Sequence, residues 1–267
     1  MKIVTAVVNS PMFIEMQYYT LKKYVKGDYE FIVFNDAKDF ADFSNFNDPT
    51  LRGQITDMCK KLNIPCINIP NDHHRMMRCA STRTGEAMNY ILGFQRNYPD
   101  KYLLLDSDMF LVDYFDVHKY DDYECMIVPQ YRKNGNGSDI HYIWNGLFYF
   151  DTTKLRNMEL MNWALVQYTD TGGMMHEWLS KQPKETIYVL RHLSSCQWNM
   201  RELPSSLADK SALIDFLKAD YRNEQGKFFC EIYDNCILHY RAGGNWRGEG
   251  ADKHKQLTEK LKIALLN

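Results

Sequence analysis

Two continuous apolar runs separated by a helical pattern stand at the beginning of the chain. The first run is KIVTAVV (2–8), and an unbroken run of this kind indicates a strand buried on both faces, as in a parallel sheet. Ser10 and Pro11 follow as a candidate N-cap and first helical residue, and helical spacing continues to Gly27. The second run is YEFIVFND (29–36). This order predicts a parallel βαβ unit, which restricts the fold to the α/β class.

The remaining patterns extend this interpretation over the whole chain. Strands are predicted at 65–70, 102–112, 124–132, 141–151 and 236–240, and helices at 49–64, 81–98, 155–169, 174–182, 211–220 and 253–266. No internal repeat or low-complexity linker interrupts them. We therefore expect one α/β domain that binds its ligand in loops at the carboxyl ends of its strands.

Composition bears on the partners and surroundings of the protein. The chain has 267 residues, of which 45% are hydrophobic, and this is sufficient for one large domain with a substantial core. Its net charge of −2 gives no indication of broad electrostatic binding to nucleic acid. No apolar run reaches the ~18 residues of a membrane span, and no signal peptide is recognisable. The seven cysteines form no CxxC pair, so we expect reduced thiols and a cytoplasmic location.

The sequence YLLLDSDMFLV (102–112) places two aspartates inside an apolar, strand-like run. Side chains two residues apart in a strand project from the same face, so Asp106 and Asp108 are predicted to point together. Two carboxylates so close repel each other unless a cation offsets them. Their oxygen atoms suit Mg²⁺ or Mn²⁺, with further coordination positions open to phosphate oxygens. The alternative is a strand end at which both acids are solvated.

A histidine and a glycine-rich turn near the end of the chain form a second candidate constellation. In HYRAGGNWR, His239 ends an apolar strand, and Gly243 and Gly244 allow backbone N–H groups to approach an anion closely. Arg241 and Arg247 flank the two glycines. An imidazole beside two carboxylates would favour Mn²⁺ over Mg²⁺. The alternative is a core histidine followed by an ordinary turn.

Three further stretches contain polar residues that their patterns do not require. Asn145 and Gly146 interrupt an apolar strand, which indicates either close approach of a ligand or a β-bulge. Asp170 precedes a Gly-Gly turn at the expected start of a helix, where it either faces a site or caps the helix. The tract DHH at 72–74 resembles a metal-binding sequence. Adjacent histidines on a strand cannot face one ion, however, so we expect them at the surface.

The order of these motifs resembles that of GT-A-fold glycosyltransferases, which use nucleotide sugars as donors. The resemblance rests on the VVN that ends the first strand, on LLLDSD, on WNGLFYFD and on HYRAGGNW, over residues 2 to 246. The similarity is greatest to the retaining group that contains glycogenin and bacterial lipopolysaccharide galactosyltransferases. It implies a single Rossmann-like domain whose mixed, mainly parallel sheet is flanked by helices. Residues 1–112 would be the nucleotide-binding half, 113–250 the acceptor-side half, and 251–267 a C-terminal amphipathic helix.

The same resemblance implies roles for individual residues. Asp106, Asp108 and His239 would bind Mn²⁺, and Asn145 and Asp170 would lie beside the transferred sugar as catalytic residues. Contacts to the nucleotide sugar would come from Val7, Asn9, Asp36 near the base, Arg83, Asp106, Ser107, Gly243, Gly244, Arg241 and Arg247. The final motif is one residue shorter than that of the family and lacks its lysine. One of the two arginines would therefore take over the phosphate contact.

These expectations describe a Mn²⁺-dependent (or Mg²⁺-dependent) glycosyltransferase. It would move a sugar from a nucleoside diphosphate, with a UDP-sugar as the first candidate, to an acceptor hydroxyl on a glycan or glycoconjugate. A nucleotidyltransferase acting on sugar phosphates is one alternative, although VVNSPMF lacks the glycine-rich phosphate loop expected there. A non-catalytic protein that binds sugar nucleotides or glycans is the other. The Lys-rich terminal helix allows weak association with an anionic membrane surface.

Overall fold

A seven-stranded sheet forms the centre of the protein, and a smaller four-stranded sheet accompanies it. The computed structural model describes residues 1–40, 48–133, 135–244 and 251–267. In these ranges the strands are β1 (Lys2–Val7), β2 (Val25–Lys26), β3 (Glu30–Asn35), β4 (Cys66–Asn68), β5 (Lys101–Leu105), β6 (Met109–Leu111), β7 (Phe115–Asp116), β8 (Cys125–Lys133), β9 (Asp139–Asp151), β10 (Ile187–Val189), β11 (His192–Leu193), β12 (Glu231–Tyr233) and β13 (Ile237–His239). The α-helices are α1 (Pro11–Tyr24), α2 (Leu51–Leu62), α3 (His73–Met76), α4 (Ala80–Asn97), α5 (Met175–Ser180), α6 (Ser211–Ala219) and α7 (Ala251–Leu266).

The central sheet is mixed and mostly parallel. Its strand order is β10-β8-β9-β5-β1-β3-β4, and of these described strands only β9 runs antiparallel to its neighbours. β1 pairs in parallel with both β3 and β5, so the predicted βαβ unit is confirmed. Pro11 begins α1, and Ser10 stands at its N-cap position without a capping bond from its side chain. The carboxyl ends of β1, β3 and β5 meet at one edge, where such sheets bind ligands.

The smaller sheet is joined to the central sheet by the segment that contains the paired aspartates. Its order is β11-β12-β13-β6, with antiparallel pairing throughout. β5 belongs to the central sheet and β6 to the smaller one, so the chain passes from one sheet to the other across residues 106–108. β13 is the late strand predicted at 236–240. Its pairing with β6 brings the end of the chain back to the aspartates.

The core is formed by apolar clusters on both faces of the central sheet and a third cluster beneath the smaller sheet. Successive residues of one strand point to opposite faces, so Ile3 and Val4 of β1 belong to different clusters. The third cluster joins Phe13 of α1 and Phe110 of β6 to the buried Leu261 of α7. The terminal helix therefore uses its apolar face inside the protein.

Residues 155–169 do not form the predicted α-helix. The segment contains only a short 3-10 helix, Met158–Leu160, among its described residues. The N–H of Trp163 donates to Oδ1 of Asn89 at 2.8 Å, where a helix would require a carbonyl four residues earlier. The apolar spacing of this segment thus reflects burial of an irregular chain against the sheet rather than helical periodicity.

The later helices agree with the prediction in position and type. α6 and α7 lie within a few residues of the predicted ranges, and α5 is shorter than predicted at both ends. No helix in the described part of the chain combines the length and apolarity that crossing a bilayer requires. All seven cysteines are free thiols.

Candidate functional site

The paired aspartates lie in a tight turn and not in a strand, contrary to expectation. β5 ends at Leu105 and β6 begins at Met109, and the N–H of Met109 donates to the carbonyl of Asp106 at 3.1 Å. The buried side chain of Gln17 on α1 holds both ends of the turn, because its Nε2 donates to the carbonyls of Asp106 (2.8 Å) and Met109 (3.1 Å). The turn, rather than strand alternation, brings the carboxylates of Asp106 and Asp108 to one place.

His239 joins the two aspartates, as the sequence predicted. Met109 pairs with His239 across β6 and β13, which places the imidazole beside the turn. Nε2 of His239 lies 3.3 Å from Oδ1 of Asp108. Ligand atoms of Asp106, Asp108 and His239 all lie within 4.8 Å of one another, a spacing at which one metal ion can bind all three.

Hydrogen bonds with neighbouring residues hold Oδ2 of Asp108 and Nδ1 of His239. Oδ1 of Asp108 and Nε2 of His239 are thereby left to face a metal ion. The N–H of Gly243 donates to Oδ2 of Asp108 at 2.8 Å, and Nδ1 of His239 lies 2.8 Å from Oε2 of Glu231. Oδ1 of Asp108 is buried and has no hydrogen-bond partner among the described residues. Support of this kind orients metal ligands and fixes the tautomer of a ligating histidine. The donor set therefore fits a divalent cation.

Electrostatic coupling within the site is strong. Burial and the charge of Asp108 raise the pKa of Asp106 well above its usual range. Burial alone would lower the pKa of His239, but Asp108 and Glu231 outweigh it and raise this pKa to about 10. Burial would likewise raise the pKa of Glu231, but His239 holds it at about 2. The three carboxylates thus stabilise positive charge at one point, which is the requirement for a cation site.

The three candidate ligands open into a cleft of about 390 Å³. It lies at the carboxyl ends of β1, β3 and β5, at the edge where the sequence placed the ligand. The residues predicted to contact a nucleotide sugar that line this cleft are Asn9, Asp36, Arg83, Asp106, Ser107 and Gly244. Lys38 and Arg83 add positive charge to its wall, and Nδ2 of Asn9 donates to the carbonyl of Gly244 at 2.8 Å.

Other predicted contact residues lie apart from the cleft wall. Val7 is fully buried in the core, and the adjacent Val8 lines the cleft from the end of β1. Arg241 is exposed and its Nη1 donates to Oγ of Ser195 at 2.9 Å. Arg247 lies outside the described residues. Gly243 lies against Asp108, where an added Cβ would come within 2.7 Å of the Asp108 Cβ, so only glycine fits this close approach.

The two predicted catalytic residues occupy different surroundings. Asn145 is half-buried in β9, at an irregularity where Ile143 and Phe148 pair with Pro129 and Ile127 of β8. The shift in register at this point is of the kind that a β-bulge produces, which was one of the two alternatives for Asn145 and Gly146. Asp170 is exposed in a loop, and because α5 begins only at Met175 it does not cap that helix.

The position of the Trp144 side chain requires a glycine at residue 146 of β9. A Cβ at Gly146 would collide with the indole of Trp144, so the glycine makes room for a side chain of the protein. The indole lines the cleft and lies at 5.1 Å from the ring of His239 and at 5.3 Å from that of Tyr233, centroid to centroid. Gly146 therefore positions an aromatic wall beside the candidate metal ligands.

The adjacent histidines are not surface residues, contrary to expectation. They begin the short helix α3, and their rings lie 4.3 Å apart, centroid to centroid. His74 is buried, and both side chains approach the buried carboxylate of Asp36. The assumption of a strand was the error, since neighbouring side chains of a helix diverge by only about 100° and can reach a common point.

Glu231 was missed by the sequence analysis. The sequence does contain short apolar runs on either side of YDNC, a pattern that indicates a hairpin. In the structure this hairpin pairs Glu231 with His239. The sequence likewise contained no specific indication that Trp144 and Lys38 line the cleft, because they stand in an ordinary apolar segment and an ordinary loop. What the sequence did identify is the triad of Asp106, Asp108 and His239, together with several residues of the cleft wall around it.

The site combines a preformed triad of oxygen and nitrogen ligands with a cleft that has cationic and aromatic walls. Such a combination is suited to binding an anionic ligand through a divalent cation. No protein-family model matches the sequence, and no curated protein is significantly similar to it.

Proposed function

We propose that this protein is a metal-dependent glycosyltransferase of the GT-A type. It transfers a sugar from a nucleoside diphosphate, with a UDP-sugar as the first candidate, to an acceptor hydroxyl on a glycan. One observation carries the proposal: Asp106, Asp108 and His239 converge in a cleft at the carboxyl ends of the central parallel strands. The order of motifs in the sequence supports the same conclusion.

Asp106, Asp108 and His239 would hold the metal ion. Two carboxylates with one imidazole favour Mn²⁺ over Mg²⁺. When bound, the ion acts as a Lewis acid that stabilises the negative charge developing on a departing diphosphate. The protein contributes rigid support, since Gly243 and Glu231 hold the ligands from outside.

The cleft walls suggest how the donor is oriented. Lys38 and Arg83 supply positive charge for the diphosphate, while Asn9 and Val8 lie at the end of β1 where the nucleoside would be bound. Trp144 offers an aromatic face beside His239, and sugar rings pack well on such faces. The roles of Asn145 and Asp170 beside the sugar stay predictions.

The proposal is tested by measuring release of nucleoside diphosphate from UDP-sugars in the presence of Mn²⁺. We expect slow release without acceptor, and a loss of at least about 100-fold in the variant Asp108→Asn, because the charge that stabilises the leaving group is lost. Asp122→Asn is the matched control, since Asp122 is exposed and is not among the residues that line the cleft. Equal rates in Asp108→Asn and wild type would contradict the proposal.

The products of the same reaction separate the alternatives. A nucleotidyltransferase would release pyrophosphate from a nucleoside triphosphate and a sugar phosphate, and not UDP from a UDP-sugar. A non-catalytic binding protein would show Mn²⁺-dependent thermal stabilisation by UDP-sugars without release of UDP. Either result would replace the proposed activity while retaining the metal site.

A further inference from the structure

We propose that Asp36, His73 and His74 form a second metal site, for a divalent transition-metal cation of the Zn²⁺ type. Asp36 directly follows β3, and the two histidines begin α3. This site is separate in its ligands from the triad of Asp106, Asp108 and His239. The proposal does not depend on the glycosyltransferase activity.

Ligand atoms of three residues lie close together in this cluster. Nε2 of His73 lies 3.0 Å from Oδ1 of Asp36, and Nε2 of His74 lies 3.1 Å from Oδ2 of the same carboxylate. Each histidine thus faces a different oxygen, and ligand atoms of all three residues lie within 4.8 Å of one another. In a tetrahedral zinc site with bonds of 2.0–2.1 Å, neighbouring ligand atoms are about 3.3 Å apart. The two nitrogen–oxygen distances, 3.0 and 3.1 Å, are close to that value.

Hydrogen bonding accounts for only part of this convergence. Within the described residues, Oδ1 of Asp36 and Nε2 of His73 are both buried and neither has a hydrogen-bond partner, although they lie 3.0 Å apart. A nitrogen and an oxygen at this distance but out of alignment can still bind a common ion. Nε2 of His74 also lies 2.8 Å from the carbonyl oxygen of Asp36, a contact that metal binding would replace. Buried polar atoms without partners are costly, so an ion here would be stabilising.

The ligand chemistry distinguishes this site from the first. Two imidazoles and one carboxylate are typical of zinc sites, whereas sites dominated by oxygen favour Mg²⁺ or Mn²⁺. Three protein ligands leave a fourth position open. Asp36 and His74 line the same cleft as Asp106 and Asp108, so the two candidate sites border one cleft. One cleft would then bind two cations of different preference.

Calorimetric titration with Zn²⁺ alone tests the second site, in a background variant Asp106→Asn/Asp108→Asn that disables the first. We expect one equivalent of Zn²⁺ to bind, with little response to Mg²⁺. His73→Gln and Asp36→Asn, each added to the background, should weaken Zn²⁺ binding at least about 100-fold, because loss of an outer partner alone costs 10- to 100-fold. His118→Gln is the matched control, since His118 is exposed and pairs with Asp121 through a similar 2.9 Å contact.

A spectroscopic measurement on the wild-type protein guards against variants that do not fold. Co²⁺ added after saturation with Mn²⁺ should give the visible absorption of a low-coordinate nitrogen and oxygen site, and His73→Gln should abolish it. Thermal unfolding of each metal-free variant reports whether it is folded. Zn²⁺ binding that is absent from the background protein, or unchanged by both His73→Gln and Asp36→Asn in folded variants, would overturn the proposal.

Discussion

At the scale of single residues, the state of His239 depends on Glu231. The carboxylate of Glu231 accepts from Nδ1 of His239, from the hydroxyl of Tyr233 at 2.8 Å and from the N–H of Ser195 at 3.1 Å. These contacts fix the carboxylate, which in turn fixes the imidazole with Nε2 toward Asp108. A metal-bound histidine commonly has such a partner on its other nitrogen.

Glu231→Gln should therefore weaken Mn²⁺ binding about 10- to 100-fold, because the neutral amide orients and polarises the imidazole less well. Calorimetry or the Mn²⁺ dependence of UDP release measures this change. The exposed Glu224, a few residues earlier in the chain, provides the control Glu224→Gln, for which no change is expected. Wild-type Mn²⁺ affinity in folded Glu231→Gln would show that Glu231 only stabilises the hairpin.

Individual site residues could be predicted where their type conflicted with the surrounding pattern. Asp106, Asp108 and His239 stand in apolar segments that do not require them, and this conflict was readable from the sequence. Glu231 was not, because an acid on a short strand at the edge of a loop is common. Its function arises from the register that places it opposite His239. His73 and His74 were noticed as a possible metal-binding tract but were wrongly expected at the surface. A helix of four residues is too short to show a periodicity in the sequence.

At the scale of elements, the beginning of β5 is tied to the beginning of β1 by a partly exposed ion pair. Nζ of Lys2 contacts Oδ2 of Asp100, and Oδ1 of Asp100 accepts from the N–H of Lys101 at 2.7 Å. Partial burial acts to raise the pKa of Asp100, but the contacts with Lys2 and Lys101 outweigh it and lower this pKa. The folded state thus favours the ionised form.

Asp100→Asn should lower the free energy of unfolding by up to about 1 kcal/mol near neutral pH. A carboxyl whose pKa is lowered by folding stabilises the protein above its unfolded value of about 3.9, and this contribution disappears as pH falls through the lower, folded value. Urea unfolding from pH 7 to pH 3 should therefore show wild type and variant converging in acid. Asp209→Asn, at a side chain that is 86% exposed, is the control. A difference that persists unchanged at pH 3 would contradict this explanation.

Helices and strands could be predicted where one apolar periodicity continued over a long segment. The long elements of residues 1–105 follow clear apolar periods with strong end signals and appear close to their predicted ranges, whereas the short helix α3 was not predicted and the strand predicted at 102–112 is divided by the turn at 106–108. The segment 155–169 failed because its apolar spacing matched a helix by coincidence. Its backbone is satisfied instead by side chains such as Asn89, which is distant in sequence and could not be foreseen from local pattern.

At the scale of the whole molecule, the terminal helix is part of a core shared with the first helix. Leu257, Leu261 and Leu265 of α7 are buried in the same cluster as Phe13 of α1. Lysines and Ile263 remain on the outer face. Any association of α7 with an anionic membrane would thus be mainly electrostatic, because its leucines are already used inside the protein.

Leu261→Ala should lower the free energy of unfolding by roughly 2–5 kcal/mol, the usual cost of truncating a fully buried leucine. Since α7 shares its core with α1, we expect the loss in one cooperative transition of the whole protein. Ile263→Ala is the control on the same helix, where the side chain is 58% exposed and a change within about 0.5 kcal/mol is expected. A separate early transition in Leu261→Ala, monitored by circular dichroism and tryptophan fluorescence, would show that α7 unfolds independently.

The turn of residues 106–108 also restricts where insertions and deletions can be accepted in the chain. Because it connects strands of two different sheets, an inserted or deleted codon there would shift β6 by one residue and turn its side chains to the opposite face. Met109 would lose its place opposite His239, and Phe110 would leave the cluster that it shares with Phe13 for the cluster on the other face of β6. The exposed loop around Gly137, between β8 and β9, carries no such constraint. Natural length variation should therefore accumulate in that loop, while the spacing between β5 and β6 stays fixed.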